Sequence, residues 1–103
     1  MTRIIVLFNL KADADRSAYE NWAKTVDCPT VNALPSVDGF SVHRSTGLLG
    51  SDSPAPYDYV EVLDVASMDG LMTDISTEAM QNIAAQFQGF ADNPQFIVTE
   101  QIA

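Results

Sequence analysis

From Arg3 to Leu10 the chain reads Arg-Ile-Ile-Val-Leu-Phe-Asn-Leu, with large apolar side chains on both parities of an extended segment. A strand of that pattern needs cover on both faces, which makes it a central strand of its sheet. The rest of the chain must supply that cover. Asp13 or Asp15 can cap a helix carrying Ala18, Tyr19, Trp22, Ala23 and Val26 at spacings of three and four, expected to end before Pro29. A short irregular or helical stretch, Thr30 to Leu34, leads to Pro35. Val37 to Ser45 and Tyr57 to Val65 alternate as two further strands, joined by a Gly-, Ser- and Pro-rich hairpin loop from Thr46 to Pro56. Ser67 or Asp69 begins a second helical region, and Ser76 is its second expected cap. Met80, Ile83, Ala84, Phe87 and Phe90 follow at helical spacing, with Gly89 and Asn93-Pro94 as the stop. Gln95 to Ile102 is the last strand.

The order βαββαβ in 103 residues predicts one α+β domain spanning residues 1–103. It takes the ferredoxin-like split arrangement, a four-stranded antiparallel sheet in the order 4-1-3-2 with both helices on one face. Two helices leave the other face bare, and the first strand is apolar on both sides. A second copy of the chain is the simplest cover, so a homodimer in the form of a dimeric α/β barrel is expected.

Composition narrows the partners. Five Lys and Arg against fourteen Asp and Glu give a net charge of -9, which repels nucleic acid and anionic membrane surfaces. No apolar run approaches the ~20 residues of a membrane helix, and the opening apolar stretch is too short for a signal peptide, so a cytoplasmic protein is expected. One Cys and one His cannot build a thiolate or imidazole metal cluster. No metal and no cofactor are expected. Cys28, without a second histidine to activate it, is read as an incidental thiol, and Gly47 and Gly50 lack the lysine of a phosphate loop.

The remaining polar groups of the strands suggest a site. If Arg44 faces Asp58 across the hairpin, complementary charges fix a register that also sets His43 opposite Tyr59 and Ser41 opposite Glu61. Val42 with Val60 and Phe40 with Val62 then form an aliphatic opposite face. Imidazole can take and return a proton near neutral pH, so His43 is the expected base, with Glu61 to orient it and Tyr59 to donate to a developing enolate. Asn9 and Leu7 of the first strand are expected on the same face and in contact with substrate, together with Ser41 and Trp22. Ile4, Val6 and Phe8 would then line the interior of the barrel.

The opening Thr2 to Lys11, the segment Arg16-Ser-Ala-Tyr-Glu-Asn-Trp-Ala-Lys24 and the run from Leu34 to Gly50 resemble the REDY-like, or HapK-like, family of small proteins from prodiginine and related natural-product pathways. The likeness spans nearly the whole chain. It implies a branch of the dimeric α/β-barrel superfamily, which includes aromatic polyketide cyclases, lactone isomerases and cofactor-free monooxygenases, with pockets between sheet and helices. The His43 face would then be the helix-covered one. The expected function is a cofactor-independent cyclase closing a ring in a reactive poly-carbonyl or pyrrole-type biosynthetic intermediate. A cofactor-free monooxygenase and a non-catalytic binder of such an intermediate are the alternatives.

Overall fold

The computed structural model describes residues 1–103. Strand β1 (Thr2–Leu10) is followed by helix α1 (Arg16–Trp22), a π-helical turn (Ala23–Asp27) and helix α2 (Cys28–Asn32). Strands β2 (Val37–Arg44) and β3 (Tyr59–Val65) form the hairpin, helices α3 (Met68–Ile75) and α4 (Glu78–Phe90) follow, and β4 (Ala91–Glu100) closes the sheet. The strand order β2-β3-β1-β4, antiparallel throughout, is the expected one.

Local chemistry sets most boundaries. Asp15 caps α1 by accepting from the Ser17 amide, and Ser67 caps α3 by accepting from the Gly70 amide. Thr77 caps α4 through the Met80 amide, so the second cap falls one residue after Ser76. The first helical segment does not stop before Pro29. Pro29 sits in the first turn of α2, directly after the π-helical turn, and the helical backbone continues through it. The last strand begins at Ala91, four residues ahead of expectation. Phe90 is the last helical residue, and Ala91 and Asp92 pair at once with Leu10 and Asn9, ahead of Asn93 at φ 48°.

The hairpin register differs by one residue from the one expected. Arg44 faces Tyr59, His43 faces Val60, Val42 faces Glu61, Ser41 faces Val62 and Phe40 faces Leu63. Because side chains alternate along a strand, a slip of one residue exchanges the two faces. In β1, Ile4, Val6 and Phe8 pair with Leu63, Glu61 and Tyr59, and all three are buried. They lie under the helices rather than on the side away from them. Phe40, Val42 and Arg44 share that covered face. His43 and Ser41 lie on the bare face with Ile5, Leu7, Val60 and Val62, of which the four aliphatic residues are half-buried.

The core is aromatic at its centre. Phe8 is wholly inaccessible; it stacks on Tyr59 at 5.5 Å between centroids and meets Phe87 and Tyr19 edge-on at 4.9 and 5.6 Å. Tyr19 and Phe90 make a further edge contact at 5.5 Å, which fixes α1 against α4. Such offset and T-shaped pairs satisfy the ring quadrupoles as well as burying area.

Candidate active site

Beyond that aromatic cluster, toward the other end of the helix layer, sheet and helices part to leave a cavity of about 350 Å³. Its floor is Ile4, Val6, Glu61, Leu63 and Phe40; Leu71, Ile75, Met80, Ile83 and Phe87 form the opposite wall, and Asp27 with Val31 closes one side. Thirteen of the sixteen lining residues are hydrophobic, which leaves Asp27, Glu61 and Gln81 as the polar ones. Its volume lies at the small end of the range for small-molecule sites, which are mostly apolar with a few placed polar groups.

Both acids are buried: Glu61 is 4% exposed and Asp27 5%. Glu61 reaches the cavity because β3 presents Tyr59, Glu61 and Leu63 on the helix side. Asp27 reaches it from the end of the π-helical turn, a form of helix found often at functional sites. Burial pushes the Glu61 carboxyl up to about 8, with the Asp27 charge adding to the rise and the Tyr19 hydrogen bond opposing it. Burial alone pushes Asp27 up to about 6. The Tyr19 hydroxyl donates to Glu61 Oε2 at 3.3 Å. No hydrogen bond or ion pair engages the Asp27 carboxylate, and no cation pairs with Glu61. Two interacting acids in an apolar chamber titrate as a pair, and near neutral pH the pair holds one proton.

A second, more polar recess of about 300 Å³ is lined by Glu20, Ala23, Lys24, Cys28, Val42, Arg44 and Tyr59. Glu20 organises it: its carboxylate accepts from Arg44 Nη1 at 2.7 and 2.9 Å and from the Tyr59 hydroxyl at 2.6 Å. The Tyr59 and Arg44 hydrogen bonds hold the Glu20 carboxyl below its ordinary range. Arg16 lies 5.6 Å from the centre of the Tyr59 ring, a cation–π contact on the same phenol. Burial, then the charges of Asp27 and Glu61, pushes the Cys28 thiol up, which keeps it protonated and a poor nucleophile.

The residues singled out in the sequence therefore separate. Glu61 lines the cavity, and Tyr59, on the same face, anchors Glu20. His43 is on the bare face, exposed, with Nε2 2.9 Å from Ser41 Oγ, so the sheet stands between the imidazole and both Tyr59 and Glu61. Leu7 shares the bare face. Asn9 clamps the loop ahead of β3, accepting from the Asp58 amide and donating to the Pro56 carbonyl. Trp22 is buried in the helix layer, where Nε1 donates to Gln86 Oε1 at 2.7 Å, and it does not line the cavity. Asp27 was missed. Its signal was present: Tyr19, Ala23 and Asp27 fall four apart, which places a carboxylate on the apolar stripe of the helix.

A family model described as REDY-like protein HapK matches residues 2–102. The chain belongs to that family. Among solved structures, HapK from Hahella chejuensis is 32% identical, with a TM-score of 0.80 over 99% of this chain and 93% of that one. Two more distant structures share the fold. A dimeric ferredoxin-like protein of unknown function from Thermobifida fusca is 16% identical, with a TM-score of 0.76 over 97% of this chain and 90% of that one. SnoaB from Streptomyces nogalater, a cofactor-independent oxygenase, is 10% identical, with a TM-score of 0.75 over 99% and 93%. Among proteins of curated function, none matches this chain. No helix is long and apolar enough to cross a membrane.

Proposed function

We propose that this REDY-like protein is a cofactor-independent cyclase that closes a ring in a reactive poly-carbonyl or pyrrole-type intermediate of natural-product biosynthesis, using the Asp27–Glu61 pair for acid–base chemistry. The observation that carries this reading is an apolar cavity whose polar lining is almost confined to two buried, interacting carboxyl groups. Environments that push two acids away from their ordinary range give one group able to accept a proton and another able to donate one at the same pH.

In an aldol-type closure the ionised carboxyl removes a proton from carbon between two carbonyls, and the resulting enolate attacks a second carbonyl carbon of the same chain. The protonated carboxyl delivers its proton to the new alkoxide oxygen. One proton is taken and one given, so the pair returns to its starting total with the proton on the other member. Apolar walls hold the chain folded, which supplies the orientation part of the rate. The base expected at His43 is thus replaced by a group already inside a cavity. Tyr19 holds Glu61 in position through its hydroxyl, and Tyr59 packs edge-on against the Tyr19 ring at 4.8 Å.

The test uses a linear poly-β-carbonyl model compound and follows cyclised product by chromatography. Glu61→Gln and Asp27→Asn should each lower the rate by ~10²–10³-fold, the range of a lost acid–base group, while His43→Ala leaves it within about twofold. Undiminished turnover in both acid variants would refute the assignment, and turnover that requires dioxygen would replace the cyclase by an oxygenase. We also propose a second copy over the bare sheet face, because Ile5, Leu7, Val60 and Val62 form an aliphatic surface there. A related fold is described as dimeric, and light scattering at twice the chain mass is the expected result.

A further inference from the structure

The two cavity acids lack something the chain does not provide. Charged groups are almost never fully buried without a partner of opposite sign. Here Asp27 is 5% exposed with no hydrogen-bond or ion-pair partner for its carboxylate, and it faces the cavity beside Glu61. Arg44 and Lys24 line the other recess, where Arg44 is committed to Glu20, and neither lines this cavity. We propose that the cavity binds an apolar molecule carrying one basic nitrogen, an amine or basic nitrogen heterocycle, whose protonated form completes the Asp27–Glu61 pair. This rests on the reading of the cavity as the ligand site and narrows its substrate class.

The chemistry follows from charge balance. In the empty cavity the pair holds one proton and one negative charge. A protonated nitrogen supplies the missing positive charge and lowers the pair's hold on its proton, so binding expels a fraction of a proton, and the carboxyl that stays protonated remains the acid of the ring closure. The titratable groups packed around the pair do not compete: Tyr19 from α1 and Cys28 from α2 are both pushed upward and stay neutral, and Gln81 from α4 carries no charge. A carboxylate ligand would add a third acid to an apolar space. A neutral ligand would fill the walls and leave the pair as it was. The net charge of -9 favours the approach of a cation as well.

Three probes of one shape separate these cases: 4-phenylbutylamine, 4-phenylbutan-1-ol and 4-phenylbutyrate, titrated calorimetrically into the whole protein at pH 7. The amine should bind at least about tenfold more tightly than the alcohol, the butyrate should not bind measurably, and heats in buffers of different ionisation enthalpy should report proton release with the amine alone. Glu61→Gln and Asp27→Asn, each checked for native circular dichroism, should reduce the preference for amine over alcohol to within about threefold. Equal binding of amine and alcohol to the wild type would overturn the cation assignment while leaving the cavity a ligand site. Binding of none of the three would overturn both this inference and the acid–base reading on which it rests. Survival of the full preference in both variants would place the amine elsewhere and overturn the inference alone.

Discussion

Glu61→Gln should make the protein more stable at alkaline pH. Burial and the Asp27 charge put the native carboxyl near pH 8 against an ordinary value of 4.5, a rise of 3.5 units from 4.5 to 8. Each unit corresponds to about 1.4 kcal/mol between the protonation states, so ionising Glu61 in the fold costs roughly 5 kcal/mol at the upper end. The direction is set by which state holds the proton. Below pH 4 both the folded and unfolded chains carry it, and Glu61 contributes nothing. Between about 4.5 and 8 the unfolded chain has released it while the native one retains it, so stability falls as pH rises, levelling off above 8. Gln fills the same space, accepts the same Tyr19 hydroxyl and cannot ionise. Part of the gain is offset because Asp27, freed of its neighbour's charge, ionises more readily. The stability lost by the wild type between pH 5 and pH 9 should therefore shrink by about 2–4 kcal/mol in the variant, a large share of the ~5–15 kcal/mol of a small domain. Urea unfolding followed by tryptophan fluorescence at half-unit pH intervals measures it directly. Parallel wild-type and variant curves across that range would show that Glu61 titrates in the fold as it does in water, and the buried acid pair would have to be abandoned.

Other substitutions probe the layers around the pair. Phe8→Ala removes the ring that Tyr19, Tyr59 and Phe87 pack against and should cost about 3–5 kcal/mol in urea unfolding, with no local collapse open to three aromatic neighbours. Tyr59→Phe deletes the hydroxyl that chiefly holds Glu20 low, so the Glu20 carboxyl should titrate at higher pH by carbon-detected NMR, with a stability loss of about 1–2 kcal/mol. His43→Ala, on the exposed face with only Ser41 as partner, should change stability by less than about 0.5 kcal/mol in the same unfolding assay.

Why the element order was legible and the site was not comes down to which signals are local. Caps at Asp15 and Ser67, the apolar run in β1 and the turn-rich loop between β2 and β3 each act within a few residues, and the topology followed from their order. Hairpin register is different: the long loop from Ser45 to Asp58 leaves it free, and the sequence argument chose it by matching Arg44 to Asp58. In the fold those charges have other partners. Arg44 turns to Glu20 of α1, while Asp58 accepts the Leu10 amide and lies 3.6 Å from Arg16. A helix that lies 24 residues from Arg44 in sequence outbid the hairpin neighbour for its charge. With a period of two, that single misplaced ion pair moved His43 from the covered face to the bare one and left Glu61 behind in the cavity.

Placing Glu61 on the helix side puts an acid opposite Val6 in the most apolar strand of the chain, a local inconsistency that good packing alone would not tolerate. Asp27 adds a second, on the stripe of Tyr19 and Ala23. Conflicts between a residue and its surroundings are expected where function rather than stability selects the side chain. Two such conflicts, on a strand and a helix that meet, are much less readily produced by chance than one histidine at an exposed strand position. Acids on predicted apolar faces, Glu61 in β3 and Asp27 on the helical stripe, point to the cavity more directly than an exposed histidine does.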